Sequence, residues 1–226
     1  PGAAANDENE APKRKSRKIN HIRGILSGYG LIMGKSVNAF LAKAGSLIVE
    51  LKERADVSPF IVSELNALFP KVKEAMAKIK ELETNIESIA KTLKHYDLFQ
   101  SALGVGPITA ATMLVLLCNP EVFKNGREFA AYIGLAPKSS GSDGKNFVTH
   151  IPKKYECNNE VRTLLVQCAH AICRSKHKSD RVSSILARKP KKVVIIAVAN
   201  KLARQLWIMA KKGEKFERRF ILAAAQ

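Results

Sequence analysis

Several familiar signatures are missing from this chain of 226 residues. It has no GxxxxGK[ST] phosphate loop and no HExxH pair, which removes P-loop nucleotide hydrolysis and the helical zinc-protease site. Its four cysteines, Cys118, Cys157, Cys168 and Cys173, form no CxxC pair. A zinc ribbon is therefore excluded, and a reduced, cytoplasmic setting is the simplest reading. No run of ~18 uncharged apolar residues exists, so the sequence predicts no membrane span; the longest candidate is Ile108 to Cys118. The opening PGAAANDENEAPKRKSRK lacks the apolar core of a secretory signal and reads as a tag or loose linker. Aromatic residues make up only 6%, which argues against a surface that stacks single-stranded bases. The acidic residues of the second half, such as Asp97, Glu128, Glu160 and Asp180, are scattered, as are the histidines, so no complete two-metal site can be assembled from them.

Apolar content and positive charge are what the chain does have. It is 46% hydrophobic, enough to bury a core. Its formal net charge is +18, unevenly placed: residues 1–96 hold 16 basic and 11 acidic side chains, residues 97–226 hold 22 and 9. A net of +13 on one half implies an anionic partner, and nucleic acid is the usual one. A lipid surface fits less well, because the cations are spread over several elements and not gathered on one amphipathic helix.

The periodicities predict a mainly α fold. Val37, Leu41, Ala44, Ile48 and Leu51 form one helical stripe, broken at Ser58-Pro59. A second helix is predicted from Pro59 or Pro70 to about Tyr96. In it Ala75, Ile79, Leu82, Ile86, Ile89, Leu93 and Tyr96 alternate in steps of four and three between charged neighbours, the pattern of a coiled-coil seam. The two stripes together predict a coiled-coil helical hairpin. Further helices are expected over Ile108–Leu117, Phe129–Leu135, Glu160–Arg174 (Val161, Leu164, Leu165, Cys168, Ala169 and Ile172 inward) and Val193–Ala210 (Val194, Ala197, Val198, Leu202, Leu206 and Met209 inward), with a short extended segment at Phe147–Ile151. The expected organisation is a disordered tag or linker over 1–18, a helical linker and coiled coil over 19–96, a compact helical domain over 97–216 and a tail over 217–226.

Two local patterns carry chemistry. Gly104-Val105-Gly106 followed by Pro107 resembles the turn of a helix-hairpin-helix element. There glycines permit close backbone approach, proline opens the next helix, and amides with the helix N-terminus can hold a phosphate without reading bases. The same glycines can instead make only a tight helix-helix turn. The second pattern is Lys138-Ser139-Ser140-Gly141-Ser142-Asp143-Gly144-Lys145, a turn-rich serine loop between lysines. A serine nucleophile needs exposure, a base and cations that stabilise developing phosphate charge. The lysines supply the last and no local base is visible, so on chemistry alone a phosphate-binding turn or a linker reads as well.

Taken together, GVGPITAATMLVLL, FAAYIGLAPKSSGSDGK, VRTLLVQCAHAI and AVANKLARQLWIMAKKGEKF resemble, in order, the transposases of insertion sequences that carry an RNase H-like DEDD domain, including the Piv/MooV-type invertases. KINHIRGILSGYGLIMGKS resembles that family's bridge between the DEDD domain and a coiled coil. The resemblance implies the portion of a recombinase that follows the DEDD domain. It implies a catalytic serine that attacks a DNA phosphodiester and forms a phosphoserine link, in a Pro-x-x-x-x-Ser-x-Gly-Lys frame running from Pro137 to Lys145. The frame places the nucleophile at Ser142, with Ser140 as runner-up. Mg²⁺ is expected in the absent DEDD domain and no cofactor in this chain, which alone should be inactive. DNA is the implied partner, a guide (bridge) RNA a further one in some members, and the coiled coil a route to a homo-oligomer, in the bacterial cytoplasm. The residues expected to touch nucleic acid are Gly104, Val105, Gly106 and Thr109 of the hairpin, with Lys138, Lys145, Lys153, Lys154, Arg162, Lys201 and Arg204.

The chain departs from the family pattern at Gly141 and Asp143, and at Tyr155-Glu156-Cys157-Asn158-Asn159 where the family turns on a Gly-Asp or Gly-Asn pair. Two other readings stand beside the recombinase: a nucleic-acid-binding scaffold without catalysis, and a coiled-coil assembly module.

Overall fold

The computed structural model describes residues 2–140, 148–153, 157–176 and 178–215, with side chains described for 15–137, 151–153, 157–176 and 178–215. Helices dominate: α1 (Gly2–Gly28), α2 (Val37–Glu53), α3 (Pro59–Lys91), α4 (Tyr96–Gln100), α5 (Pro107–Leu116), α6 (Gly126–Tyr132), α7 (Asn159–Arg174), α8 (Asp180–Arg188) and α9 (Lys191–Lys212). A 3-10 turn spans Pro120–Val122, and β1 (Lys138–Ser140) pairs with β2 (Val148–His150) as a short antiparallel ribbon. The mainly α class is as expected. The chain divides into two compact units, residues 1–85 and 86–226.

The first unit is built by α1, α2 and the opening of α3. Ile19, Ile22 and Leu26 of α1, Phe40, Ala44, Ile48 and Leu51 of α2, and Leu65 and Val72 of α3 form one buried cluster. Three of the five α2 stripe residues are buried, and Phe40, outside that stripe, is fully enclosed. Ser36 caps α2 by accepting the Ala39 amide at 3.1 Å. Arg23 gathers the α1–α2 connection: its Nη2 donates to the carbonyls of Gly34, Lys35 and Ser36 at 2.8–3.1 Å, and its guanidinium lies 5.7 Å from the Phe40 ring centroid. The segment read as a loose tag is helical from Gly2 onward. Its apolar stripe begins only at Ile19, so no packing signal announced it, but its alanines, lysines, arginines and glutamates are good helix formers.

α3 starts at Pro59, where a missing N–H is harmless, and continues through Pro70. It ends at Lys91, five residues short of the expected end. His95 adopts the left-handed conformation (φ 75°) and turns the chain into α4. Of the seam, Ile86, Ile89 and Leu93 are 41%, 65% and 50% exposed, while Tyr96 is buried in the second unit's core.

That core is organised around α9, which packs against α4, α6, α7, α8 and the 3-10 turn. Val194, Ile195, Ala199, Leu202, Ala203, Leu206, Trp207 and Met209 form its buried face; Ala197, expected inward, is exposed. α9 is long and apolar enough, by length and composition, to cross a membrane, contrary to the expectation of no such segment. The search for an uncharged run missed it because Lys201 and Arg204 interrupt the stretch. Here its apolar residues build a protein core. Two side chains fasten α9 to neighbouring loops: Trp207 Nε1 donates to the Pro120 carbonyl at 2.9 Å and Asn200 Nδ2 to that of Leu135 at 3.1 Å. Of the α7 residues whose spacing predicts an inner face, Val161, Leu165, Cys168, Ala169 and Ile172 are buried and Leu164 is half-buried; Cys173 is buried with them. α8 was not anticipated; Ser179 caps it, and Val182, Ile185 and Leu186 dock it on the core.

Candidate nucleic-acid interface

The Gly104–Gly106 turn is shaped by α7. Gly104 has φ +81°, and a Cβ there would lie 2.7 Å from Ile172 Cγ1 and 2.9 Å from the Cys168 carbonyl oxygen. Only glycine satisfies both the backbone angle and the contact. Val105 is buried. Gly106 is the N-cap of α5 with Pro107 next, and a Cβ on it would meet nothing within 4 Å. Thr109 is 5% exposed, and its hydroxyl accepts from the buried Cys168 thiol at 3.5 Å. Burial pushes the Cys168 thiol up, while its hydrogen bonding with Thr109 and the Gly106 backbone opposes that shift. Gly104 and Thr109 thus face α7 through Ile172 and Cys168, Val105 is buried, and the space at Gly106 is open. At Gly104 the turn makes a helix–helix contact, because a residue without a Cβ admits α7.

The ribbon positions the serine loop. β1 and β2 pair in the register Lys138↔His150, Ser139↔Thr149 and Ser140↔Val148, so Ser140 and Val148 are partners at the last described rung. Ser142, Lys145 and Lys154 lie outside the described residues. Lys138 and Ser140 are described as backbone only. Below the ribbon a compact knot holds both stems. Gly134 (φ +80°) faces Cys157 so closely that a Cβ would fall 2.6 Å from that side chain. Arg162 donates from Nη1 to the carbonyl of buried Pro152 at 2.7 Å and from Nη2 to Asn159 Oδ1 at 2.8 Å. Arg162, expected to reach nucleic acid, ties Pro152 at the return of the ribbon to the first turn of α7. Lys153 is exposed, and its carbonyl accepts from the Cys157 thiol at 3.6 Å.

A separate cationic group lies on α8 and α9. Lys201 is half-buried, and its ammonium pKa is lowered by burial first, then by the positive charges of Arg181 and Arg204. Arg204 is exposed, and its backbone closes on Gly126 at the start of α6, where a Cβ would be 3.2 Å from the Arg204 Cα and carbonyl oxygen. Arg181 was not singled out from sequence, because α8 itself was missed; its partnership with Lys201 exists only once α8 folds onto α9. Among the described residues, no three His, Cys, Asp or Glu side chains converge to hold a metal ion. The four thiols are free.

Comparison with known proteins gives this arrangement a context. Residues 96–183, from α4 into α8, match the family described as Transposase IS116/IS110/IS902. The chain is 28% identical over 209 residues to the transposase for insertion sequence element IS1111A of Coxiella burnetii, covering 90% of this chain and 56% of that protein. It is 29% identical over 214 residues to the putative transposase y4pF/y4sB of Sinorhizobium fredii, with 90% and 53% covered. It is 29% identical over 206 residues to a probable family 20 transposase of Pseudomonas aeruginosa, with 87% and 59% covered. The chain spans a little over half the length of these curated relatives.

Proposed function

We propose that this chain is the DNA-binding and serine-bearing portion of a transposase, acting together with a metal-binding DEDD domain. The match of residues 96–183 to a transposase family carries this reading, because that span includes the serine loop and the helices that anchor its stems. Ser142 is the nucleophile in it and Ser140 the runner-up. The Ser142 Oγ attacks phosphorus in the DNA backbone and a phosphoserine ester forms. One phosphorus–oxygen bond to the adjoining sugar breaks, and that sugar oxygen takes up a proton. Attack by a sugar hydroxyl on the ester reverses the step and joins strands. Lys138 and Lys145, on the two sides of the loop, supply positive charge where negative charge develops. Arg162, Gly134 and Cys157 act by holding the ribbon.

The described residues do not fit a metal ion, so no step here is assigned to one; Mg²⁺ belongs in this reading to the DEDD domain. A guide RNA and a bacterial cytoplasmic setting go with the resemblance. The exposed Ile86, Ile89 and Leu93 favour a further element, self-association along the end of α3 and the turn after it. The test is a covalent-capture assay in a full-length protein that carries this segment. Ser142→Ala abolishes the DNA–protein adduct and Ser140→Ala retains it. Adduct formation by Ser142→Ala together with its loss in Ser140→Ala shifts the nucleophile by two residues; adduct formation in both variants sinks the serine mechanism.

A further inference from the structure

The second unit carries a cleft that the serine chemistry leaves unused. It has a volume of about 460 Å³ and lies where three elements meet. The α3–α4 turn supplies Leu93, Lys94 and His95, α5 and the segment after it supply Val115 and Cys118, and the end of α9 supplies Ala210. Its lining is mostly apolar. Leu93 is 50% exposed and Val115 76%, and Cys118 is an exposed free thiol. Single exposed apolar side chains are ordinary, but a concave group of them marks a contact surface. Lys94 and His95 bring basic groups to its edge, and no acid is among the described lining residues.

α9 ends at this cleft. Its C-cap Gly213 is left-handed (φ +69°), and a Cβ on it would lie 4.0 Å from His95 Cε1. The chain therefore leaves α9 against a residue that lines the cleft. Glu214 and Lys215 follow, both exposed. The sequence then runs Phe216-Glu217-Arg218-Arg219-Phe220-Ile221-Leu222, which lies outside the described residues. Its composition complements the cleft. It offers four large apolar side chains, and the acids Glu214 and Glu217 stand on either side of Phe216. Phe216 is three residues beyond Gly213, a span of at most ~10 Å at ~3.4 Å per residue, so it is within reach of the cleft.

We infer that this cleft is the docking seat of the chain's own 216–222 segment, with Phe216, Phe220 and Ile221 covering Leu93, Val115 and Cys118 and with Glu214 and Glu217 set toward the Lys94 ammonium. A nucleic-acid backbone does not suit the cleft, since its floor is apolar and a phosphate would lose its water there without a donor in return. The tether favours the chain's own segment over the same segment of a second copy, because a short flexible linker gives an effective concentration on the order of millimolar. Docked in this way, the segment straps the end of α9 to α5 and to the α3–α4 turn. The inference stands apart from the transposase reading and does not rest on it.

Cys118 is the reporter, because a docked segment shields its thiol. In the 226-residue chain its reaction with dithiobis-nitrobenzoate is followed by absorbance, and a Cys118→Ser variant identifies its phase among the four thiols. One variant carries Phe216→Ser, Phe220→Ser and Ile221→Ser together. A second carries Val115→Gln, a change at a side chain 76% exposed that leaves folding intact even where the first variant does not fold. A control carries Arg218→Gln and Arg219→Gln. The segment variant speeds Cys118 labelling by about 10-fold or more, the factor by which the loss of one buried aromatic contact shifts a docked–undocked equilibrium. Val115→Gln speeds it by a smaller factor, and the control leaves it unchanged. The wild-type rate is independent of protein concentration. Equal rates in wild type and both apolar variants overturn the inference, as does acceleration by the control, which would make the effect one of charge. Labelling that slows as protein concentration rises also overturns it, since a second copy would then be the occupant.

Discussion

Replacing Gly104 by Ala separates a structural turn from a phosphate clamp. The backbone at Gly104 has φ +81°, and the new Cβ would sit 2.7 Å from Ile172 Cγ1 and 2.9 Å from the Cys168 carbonyl oxygen. A left-handed conformation costs a non-glycine residue ~1–2 kcal/mol. Overpacking a filled site adds typically ~1–3 kcal/mol, and one of the two obstructions is backbone that has no rotamer to change. The expected loss is therefore about 2–5 kcal/mol. Gly106 is the internal control: it sits at φ −91° with open space around its Cβ position, so Gly106→Ala should stay within ~1 kcal/mol of wild type, as a modest unfolded-state gain offsets a weaker cap. The chain has one tryptophan, Trp207, buried in the second unit, so urea unfolding followed by tryptophan fluorescence reports on the unit that contains the substitution. In a double-mutant cycle with Ile172→Ala, which itself removes a buried side chain, the combined loss should fall below the sum of the two single losses, since the second substitution removes the nearer obstruction and leaves the carbonyl. Below the denaturation midpoint, Gly104→Ala should keep wild-type salt dependence of DNA binding. A stability loss under ~1 kcal/mol would refute the packing argument, and a folded Gly104→Ala protein with a shallower salt slope would return the turn to the phosphate-binding role.

Two further outcomes follow from exposure and burial. Ser at both Ile86 and Ile89, which are 41% and 65% exposed, should leave unfolding nearly unchanged yet weaken self-association measured by sedimentation by roughly 10- to 100-fold, as ~1–3 kcal/mol of apolar burial is lost from the contact; a wild type that stays monomeric at high concentration would refute it. Burial raises the folded-state pKa of both Cys168 and Cys173 above the 9.0 of a free thiol, so the folded form retains protons that the unfolded form releases. The stability they contribute is full below pH 9.0 and declines as pH rises beyond it; replacing both by Ala should flatten that alkaline decline, and an unaltered alkaline limb would contradict the assignment.

Helices with one buried face were legible because their apolar spacing and their burial are the same fact seen twice. α7 shows this best: Val161, Leu165, Cys168, Ala169 and Ile172 follow the period and all are buried. α9 was legible in its later turns but not at Ala197, because a helix touched from several sides has no single inner stripe. α8 escaped notice since its nine residues are short and polar, with only Val182, Ile185 and Leu186 facing inward. The end of α3 was placed too late because the seam spacing runs on through Leu93 to Tyr96, whereas the helix stops before a left-handed His95 that no spacing rule foresees.

The candidate site shows where spacing stops being informative. A Gly-apolar-Gly turn before a helix is the same string whether a phosphate or another helix approaches it. Only the partner decides, and the partner of Gly104 is Ile172, 68 positions along the chain. Arg162 shows the converse ambiguity, since a cation near a serine loop can face an anion or brace the loop, and here it braces Pro152 and Asn159. The nearness of Arg181 to Lys201 is equally invisible in the sequence, because the two stand 20 residues apart on different helices. For Gly104 and Arg162 alike, the deciding neighbour is set by a contact that only the folded chain makes, which spacing along the sequence does not encode.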